Sequence, residues 1–142
     1  MAQQQALSPT QLAWVREPLS ELLKQVRLAL ELQDDDAGNA NFDGAQQHLG
    51  QLSATLRMLG IEGAAQAIEE MHELAGDLAG GRVDDPEREA LGTLLGGTVV
   101  VDDYLDRLQI GQSDLPLVLL PLVNDIRAAR GKPLLPEGAF FK

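Results

Sequence analysis

Apolar residues recur at three- and four-residue steps along most of the chain, the period of helices that bury one face. Ser8 can cap a first helix with Pro9 at its first position, followed by Leu12, Val15, Leu19, Leu22, Val26 and Ala29 in helical register. Pro18 predicts a kink near its first turns. The stretch QDDDAGNAN, residues 33–41, reads as an acidic linker of turn formers that ends this helix. A second helix is predicted from Phe42 to Leu59, with Phe42, Ala45, Leu49, Leu52, Leu56 and Leu59 as its buried stripe and Gly60 as its stop. A third, from Glu62 to Ala79, would bury Ala64, Ile68, Met71, Ala75 and Leu78 and end at Gly80-Gly81. The short connection between these two predicts an antiparallel hairpin.

Asp85 followed by Pro86 marks a fourth start, after which Leu91, Leu94, Thr98, Val101, Leu105 and Leu108 form a long stripe. Gly96-Gly97 weakens that helix by about 1 kcal/mol per glycine and lets a neighbour approach closely. A fifth helix opens at Asp114-Leu115-Pro116 and closes at Gly131, with Pro121 disturbing its early part and Leu119, Leu122, Val123 and Ile126 facing inward. Residues 132–142, rich in Pro and Gly, read as a non-helical tail, and Phe140-Phe141 implies packing back onto the bundle or a cut in a longer chain. Only Val99-Val100-Val101 argues locally for a strand. The pattern predicts one all-α domain over residues 1–142, an antiparallel bundle of four to five helices.

Composition narrows the partners more than the fold. The 142 residues suit one core, and with no cysteine there are neither disulfides nor thiolate metal sites, as a reducing cytoplasm allows. Eleven Lys and Arg against 22 Asp and Glu give a net charge of −11, which repels nucleic acid and anionic membrane surfaces. A protein partner with a basic patch is expected instead. MAQQQALSPTQ has no positive region before an apolar run, and the uncharged stretches near residues 90–101 and 115–123 are too short to span a bilayer.

The candidate chemistry centres on HLGQLSATLRMLG, residues 48–60. On a helical wheel Gly50 lies about 130° from the buried direction and His48 about 70° from it. Ala54 falls nearly opposite the core, sharing the outer face with Gln47, Gln51 and Met58. A boundary histidine is ordinarily a packing or hydrogen-bonding residue. Acceptance of phosphate by His48 after a local change of register is the alternative.

GQLSATLRMLG, residues 50–60, continuing through EGAAQAIEEM, resembles the histidine phosphotransfer pattern, roughly His-x-Leu-Lys-Gly-x-Ala-x-x-Leu-Gly. Leu52, Ala54, Leu59 and Gly60 match in kind. Gly50 stands where the pattern has its acceptor histidine and Ser53 where it has lysine, so the packing positions remain without the reactive ones. YLDRLQIGQSDLPLVLLPLVNDIRAARGKPLLPE, residues 104–137, is similar to the closing segment of the N-terminal domain of ChpA/PilL-type chemosensory kinases of type IV pilus systems, and of their kinase-less relative FimL. Asp114-Leu115-Pro116, Leu120-Pro121-Leu122 and Asn124-Asp125-Ile126-Arg127 carry that likeness.

The resemblance implies a non-catalytic interaction module with a lost phosphoacceptor at Gly50, and more chain beyond Lys142. It further implies protein partners in the pilus chemosensory pathway and a cytoplasmic location, with recruitment to the cell pole. Its binding face would comprise Gln47, Gly50, Gln51, Ala54, Arg57 and Met58, because small residues there lower helix stability without serving the core. A dimerisation spacer using the long fourth helix is a further alternative.

Other motifs point to little chemistry. Glu69-x-x-His72 has the i, i+3 spacing of di-iron bundles, but such sites need two copies and two further glutamates facing inward. Asp102-Asp103 reads as a solvated face. Asp34-Asp35-Asp36 lacks the glycine and closing glutamate of a calcium loop. With no Ser-His-Asp set, phosphate loop or nucleotide-binding pattern, neither enzymatic activity nor a cofactor or metal is expected.

Overall fold

The computed structural model describes residues 9–31, 42–85, 88–110 and 116–137. Ser8, the acidic linker, Pro86, Asp114-Leu115 and Phe140-Phe141 lie outside them. The described residues form an all-α bundle: α1 (Pro9–Glu31), α2 (Phe42–Met58), α3 (Glu62–Ala79), α4 (Glu89–Gln109) and α5 (Leu120–Ala129), the last preceded by a 3₁₀ turn at Pro116–Leu119. Val99-Val100-Val101 sits inside α4, where Val101 is buried and the other two are exposed.

α3 is the hub. It packs against α2, α4, α5 and the 3₁₀ turn, while α1 fills the other side between α2 and α4. Being enclosed this way requires short side chains, and Gly63, Ala64, Ala65, Ala67, Ala75 and Gly76 are all buried along it. Its stripe is therefore much wider than the predicted one. One approach leaves no room for a further carbon: a Cβ at Gly97 of α4 would stand 2.9 Å from Sδ of the fully buried Met71, whereas at Gly76 it would meet the mobile amide end of Gln46 of α2.

The predicted stripe of α2 holds, with Ala45, Leu49, Leu52 and Leu56 fully buried and Phe42 and Leu59 half-buried at the ends. Along α1 the prediction needs correction. Leu12, Leu19, Val26 and Ala29 are buried, but Leu23 and Leu30 are buried as well, whereas Val15 and Leu22 reach only the boundary. With neighbours on two flanks, α1 buries more than one row of leucines. The helix runs unbroken through Pro18, whose side chain is exposed.

The ends of the elements follow local chemistry. Gly60, at φ 79°, closes α2: its amide donates to the Arg57 carbonyl and the Ile61 amide to the Leu56 carbonyl, an arrangement favouring a residue without Cβ. Gly131, at φ 72°, closes α5 in the same way. α4 begins at Glu89, later than the predicted start after Asp85. Asp85 is instead its cap, accepting the amides of Ala90 at 2.9 Å and Leu91 at 3.0 Å, where a carboxylate also meets the positive end of the helix dipole. α5 proper begins at Leu120, so Pro121 falls in its first turn, where a missing amide is harmless, and does not disturb its body.

Ion pairs complete the packing. Arg16 of α1, only 8% exposed, donates to Asp102 at 2.7 Å and Asp106 at 2.8 Å on α4, so Asp102 is an anchor and not merely a solvated position. Arg127 and Arg130 tie α5 to α3 through Glu70 at 3.0 Å and Asp77 at 2.6 Å. Asn124 holds the returning chain, donating to the Leu135 carbonyl and accepting its amide. Residues 132–136 have no helical structure, and Glu137 is helical.

The Arg130 hydrogen bond pulls the Asp77 carboxyl below the ordinary carboxylate range against the opposing effect of burial, and Arg82 adds to the lowering. A carboxyl depressed in the folded state contributes stability above its unfolded pKa of about 3.9 and loses it as pH falls towards the folded value. Asp77→Asn should therefore lower stability at pH 7 by about 2 kcal/mol, the scale of a hydrogen bond to a charged group. Urea unfolding at pH 7, 5 and 3 should show the deficit unchanged between the first two and shrinking at the third. An equal deficit at all three would assign the effect to packing.

Candidate functional site

The helical hairpin sets out the candidate face. Gln46, Gly50, Ser53 and Arg57 lie at successive turns along one flank of α2, and the structure places Gln46 against Gly76, Gly50 against His72 and Arg57 against Glu69. Rising numbers on α2 meet falling numbers on α3, so the pair is antiparallel. Gln47, Gln51, Ala54 and Met58 point outward and are exposed, Met58 at 85%. They form a short neutral-to-apolar strip.

Gly50 does not belong to that strip. It is half-buried on the α3 flank, where a Cβ would meet His72 Cδ2 at 3.5 Å and Nε2 at 3.6 Å. The imidazole of α3 thus occupies the ground into which a side chain at position 50 would project. Among the described residues no hydrogen bond engages that ring. Ser53 donates its hydroxyl to the Gly50 carbonyl at 3.1 Å.

Arg57 is also placed differently from expectation. Its guanidinium pairs with Glu69 at 2.6 Å and with Glu62, bridging α2 to α3. The Glu69 hydrogen bond raises its pKa above an already high value, so it remains a cation that both carboxylates neutralise locally. Glu69 is thereby engaged away from any metal, and among the described residues no group of three or more acidic or histidine side chains could hold one. His48 sits half-buried on the opposite flank of α2, with Nδ1 enclosed and without a hydrogen-bond partner among the described residues.

The motif carrying the second resemblance has a structural explanation. Asn124 clamps Leu135, Ile126 is buried, and Arg127 joins Glu70 and the Pro133 carbonyl. Asp125 alone of the four faces solvent without a partner among the described residues. Sequence reasoning missed the Gly50–His72 contact. The wheel sets Gly50 about 130° from the buried direction of its own helix, but only the hairpin register reveals what stands beside it.

A methyl group at position 50 fits at ordinary contact distance, whereas one at position 97 meets Met71 and, at 3.2 Å, Leu122 inside the core. Gly50→Ala should raise stability by about 1 kcal/mol through helix propensity. Gly97→Ala should lower it by about 1–3 kcal/mol through overpacking. Chemical denaturation of both variants checks the pair, and a loss at Gly50 would show that the His72 ring is fixed more tightly than its partial exposure implies.

No protein-family model and no solved structure matches the chain. No helix among the described residues is long and apolar enough to cross a membrane. The chain is similar to Scaffold protein FimL of Pseudomonas aeruginosa, with 32% identity over 135 residues. That alignment covers 93% of this chain and 24% of the relative, so the chain spans about a quarter of that protein's length.

Proposed function

We propose that this chain is a non-catalytic docking domain of a type IV pilus chemosensory scaffold, related to phosphotransfer domains but without their acceptor. One observation carries the reading: position 50, which the resemblance aligns with the acceptor histidine, is a glycine with no side chain to take phosphate, and it packs against His72 of the neighbouring helix. The likeness to a scaffold protein over nearly the whole chain supports the same conclusion.

In this reading the partner meets the outer face of α2. Ala54 and Met58 offer the apolar part, Gln47 and Gln51 the amide border, and Gly50 lies at the edge. Arg57 contributes through its bridge to Glu62 and Glu69, which braces the hairpin, and not as a free cation. A face of this kind recognises a partner by shape and apolar contact, while the charge of −11 favours approach of a basic surface.

Two outcomes are expected. Incubation with acetyl phosphate, followed by acid-labile phosphate analysis, should leave the chain unlabelled, and label on His48 or His72 would replace this reading with phosphotransfer. Ala54→Arg should keep the fold, since position 54 is exposed, yet weaken partner binding by more than about 2 kcal/mol, roughly thirtyfold. Pull-down of pilus chemosensory proteins and motility assays, beside Glu31→Arg as a control, measure it; unchanged binding and motility would remove the α2 face from consideration.

A further inference from the structure

A second surface lies across the bundle from α2. α4 and α5 diverge around a groove of about 500 Å³, floored by Gly92 and Gly96 and walled by Val100, Val118, Pro121 and Leu122. From Glu89 to Val100 it follows about three turns of α4, a length of about 16 Å at 1.5 Å per residue.

The glycines of α4 divide into two kinds. Gly97 is explained by Met71 and Leu122, which leave no space for a methyl group. Gly92 and Gly96 are not explained by their described neighbours: among the described residues a Cβ at either would meet nothing within 4 Å. They stand one turn apart, Gly92 at the end of the first turn of α4 and Gly96 in its body, and their bare backbone lines the groove. Its walls are apolar yet uncovered, with Val100 40% and Val118 53% exposed. Glu89 and Asp125 also line it, and among the described residues neither carboxylate has a cationic partner.

We propose that this groove docks an amphipathic helix of a partner protein, its apolar side against Gly92 and Gly96 and its Lys or Arg residues beside Glu89 and Asp125. Close approach of two helix backbones needs a surface without side chains, and a trough three turns long matches a short helix better than a small molecule. No buried, unpartnered polar atom lines the groove to orient a small ligand. A second copy of this chain fits poorly, because it would bring its own net charge of −11 to two unpaired carboxylates. The inference does not rest on the α2 face.

The test titrates the 142-residue chain with a labelled Leu/Lys amphipathic peptide about 16 residues long, enough to cover three turns with frayed ends. A Leu/Glu peptide of identical pattern is the comparison. Anisotropy should show binding of the Leu/Lys peptide alone, with amide shifts confined to α4 and α5. Gly96→Leu fills the groove and should weaken binding at least roughly tenfold, while its unfolding midpoint stays at or above that of the parent. The double variant Glu89→Lys, Asp125→Lys alters exposed carboxylates only and should weaken binding similarly, whereas Ala54→Arg should not. Equal binding by parent and Gly96→Leu, shifts elsewhere in the bundle, or no binding of the Leu/Lys peptide would overturn the proposal. So would a dimer in sedimentation that Gly96→Leu abolishes, since that would make a second copy the occupant.

Discussion

The enclosure of α3 is the constraint on which the bundle depends. A helix surrounded by α2, α4, α5 and a 3₁₀ turn cannot carry long side chains on every face, and α3 meets this with glycine and alanine at the closest approaches. Larger residues from the neighbours are fully buried in the same core: Leu52 and Leu56 from α2, Leu94 and Leu105 from α4, Ile126 from α5. Small-to-large changes in such a centre must move a whole helix or a buried side chain, which is why they are unfavourable even when only one methyl group is added. The charged residues of α3 are arranged around the same requirement, with Glu70 and Asp77 receiving Arg127 and Arg130 where α5 closes over it.

Much of this was legible in the residue pattern. The stripe of α2, the glycine that ends it and the hairpin with α3 follow from periodicity and from the special backbone at Gly60. The reading fell short where a helix has more than one neighbour. A single wheel direction gives α1 one row of leucines, but contacts with both α2 and α4 bury Leu23 and Leu30 too. α3 was under-read for the opposite reason, since glycine and alanine carry little hydrophobic signal although burial of short side chains is what the position demands. Arg16 could not be found by periodicity at all. Its burial depends on Asp102 and Asp106, some ninety residues away, and polar residues at boundary positions carry no mark of such a partner.

The same limit governs the candidate site. Outer positions such as Gln51, Ala54 and Met58 were placed by angle alone, because solvent needs no second element to define it. Gly50 and Arg57 lie nearer the α3 flank, where the decisive fact is the register between two helices. That register sets His72 opposite Gly50 and Glu69 opposite Arg57. Signals for both were present in the sequence, in the Glu69-x-x-His72 pair, but the spacing drew attention to metal chemistry and not to the facing helix.

The two surfaces are separated by the core itself. α2 packs on α1 and α3, whereas the groove is formed by α4 and α5 on the far side of those helices. A ligand on one need not touch a ligand on the other, which is the geometry that bridging two proteins requires. The groove is also the more demanding to maintain. Two exposed glycines in α4 oppose helix formation by about 1 kcal/mol each, and that helix is held by its Asp85 cap, its buried stripe and the Arg16 pairs. Its opposite wall stands where it does because Arg127 and Arg130 fasten α5 to α3. Local instability on the open side of α4 is thus sustained by interactions on its closed side, and the small residues that loosen this helix leave a surface shaped for another one.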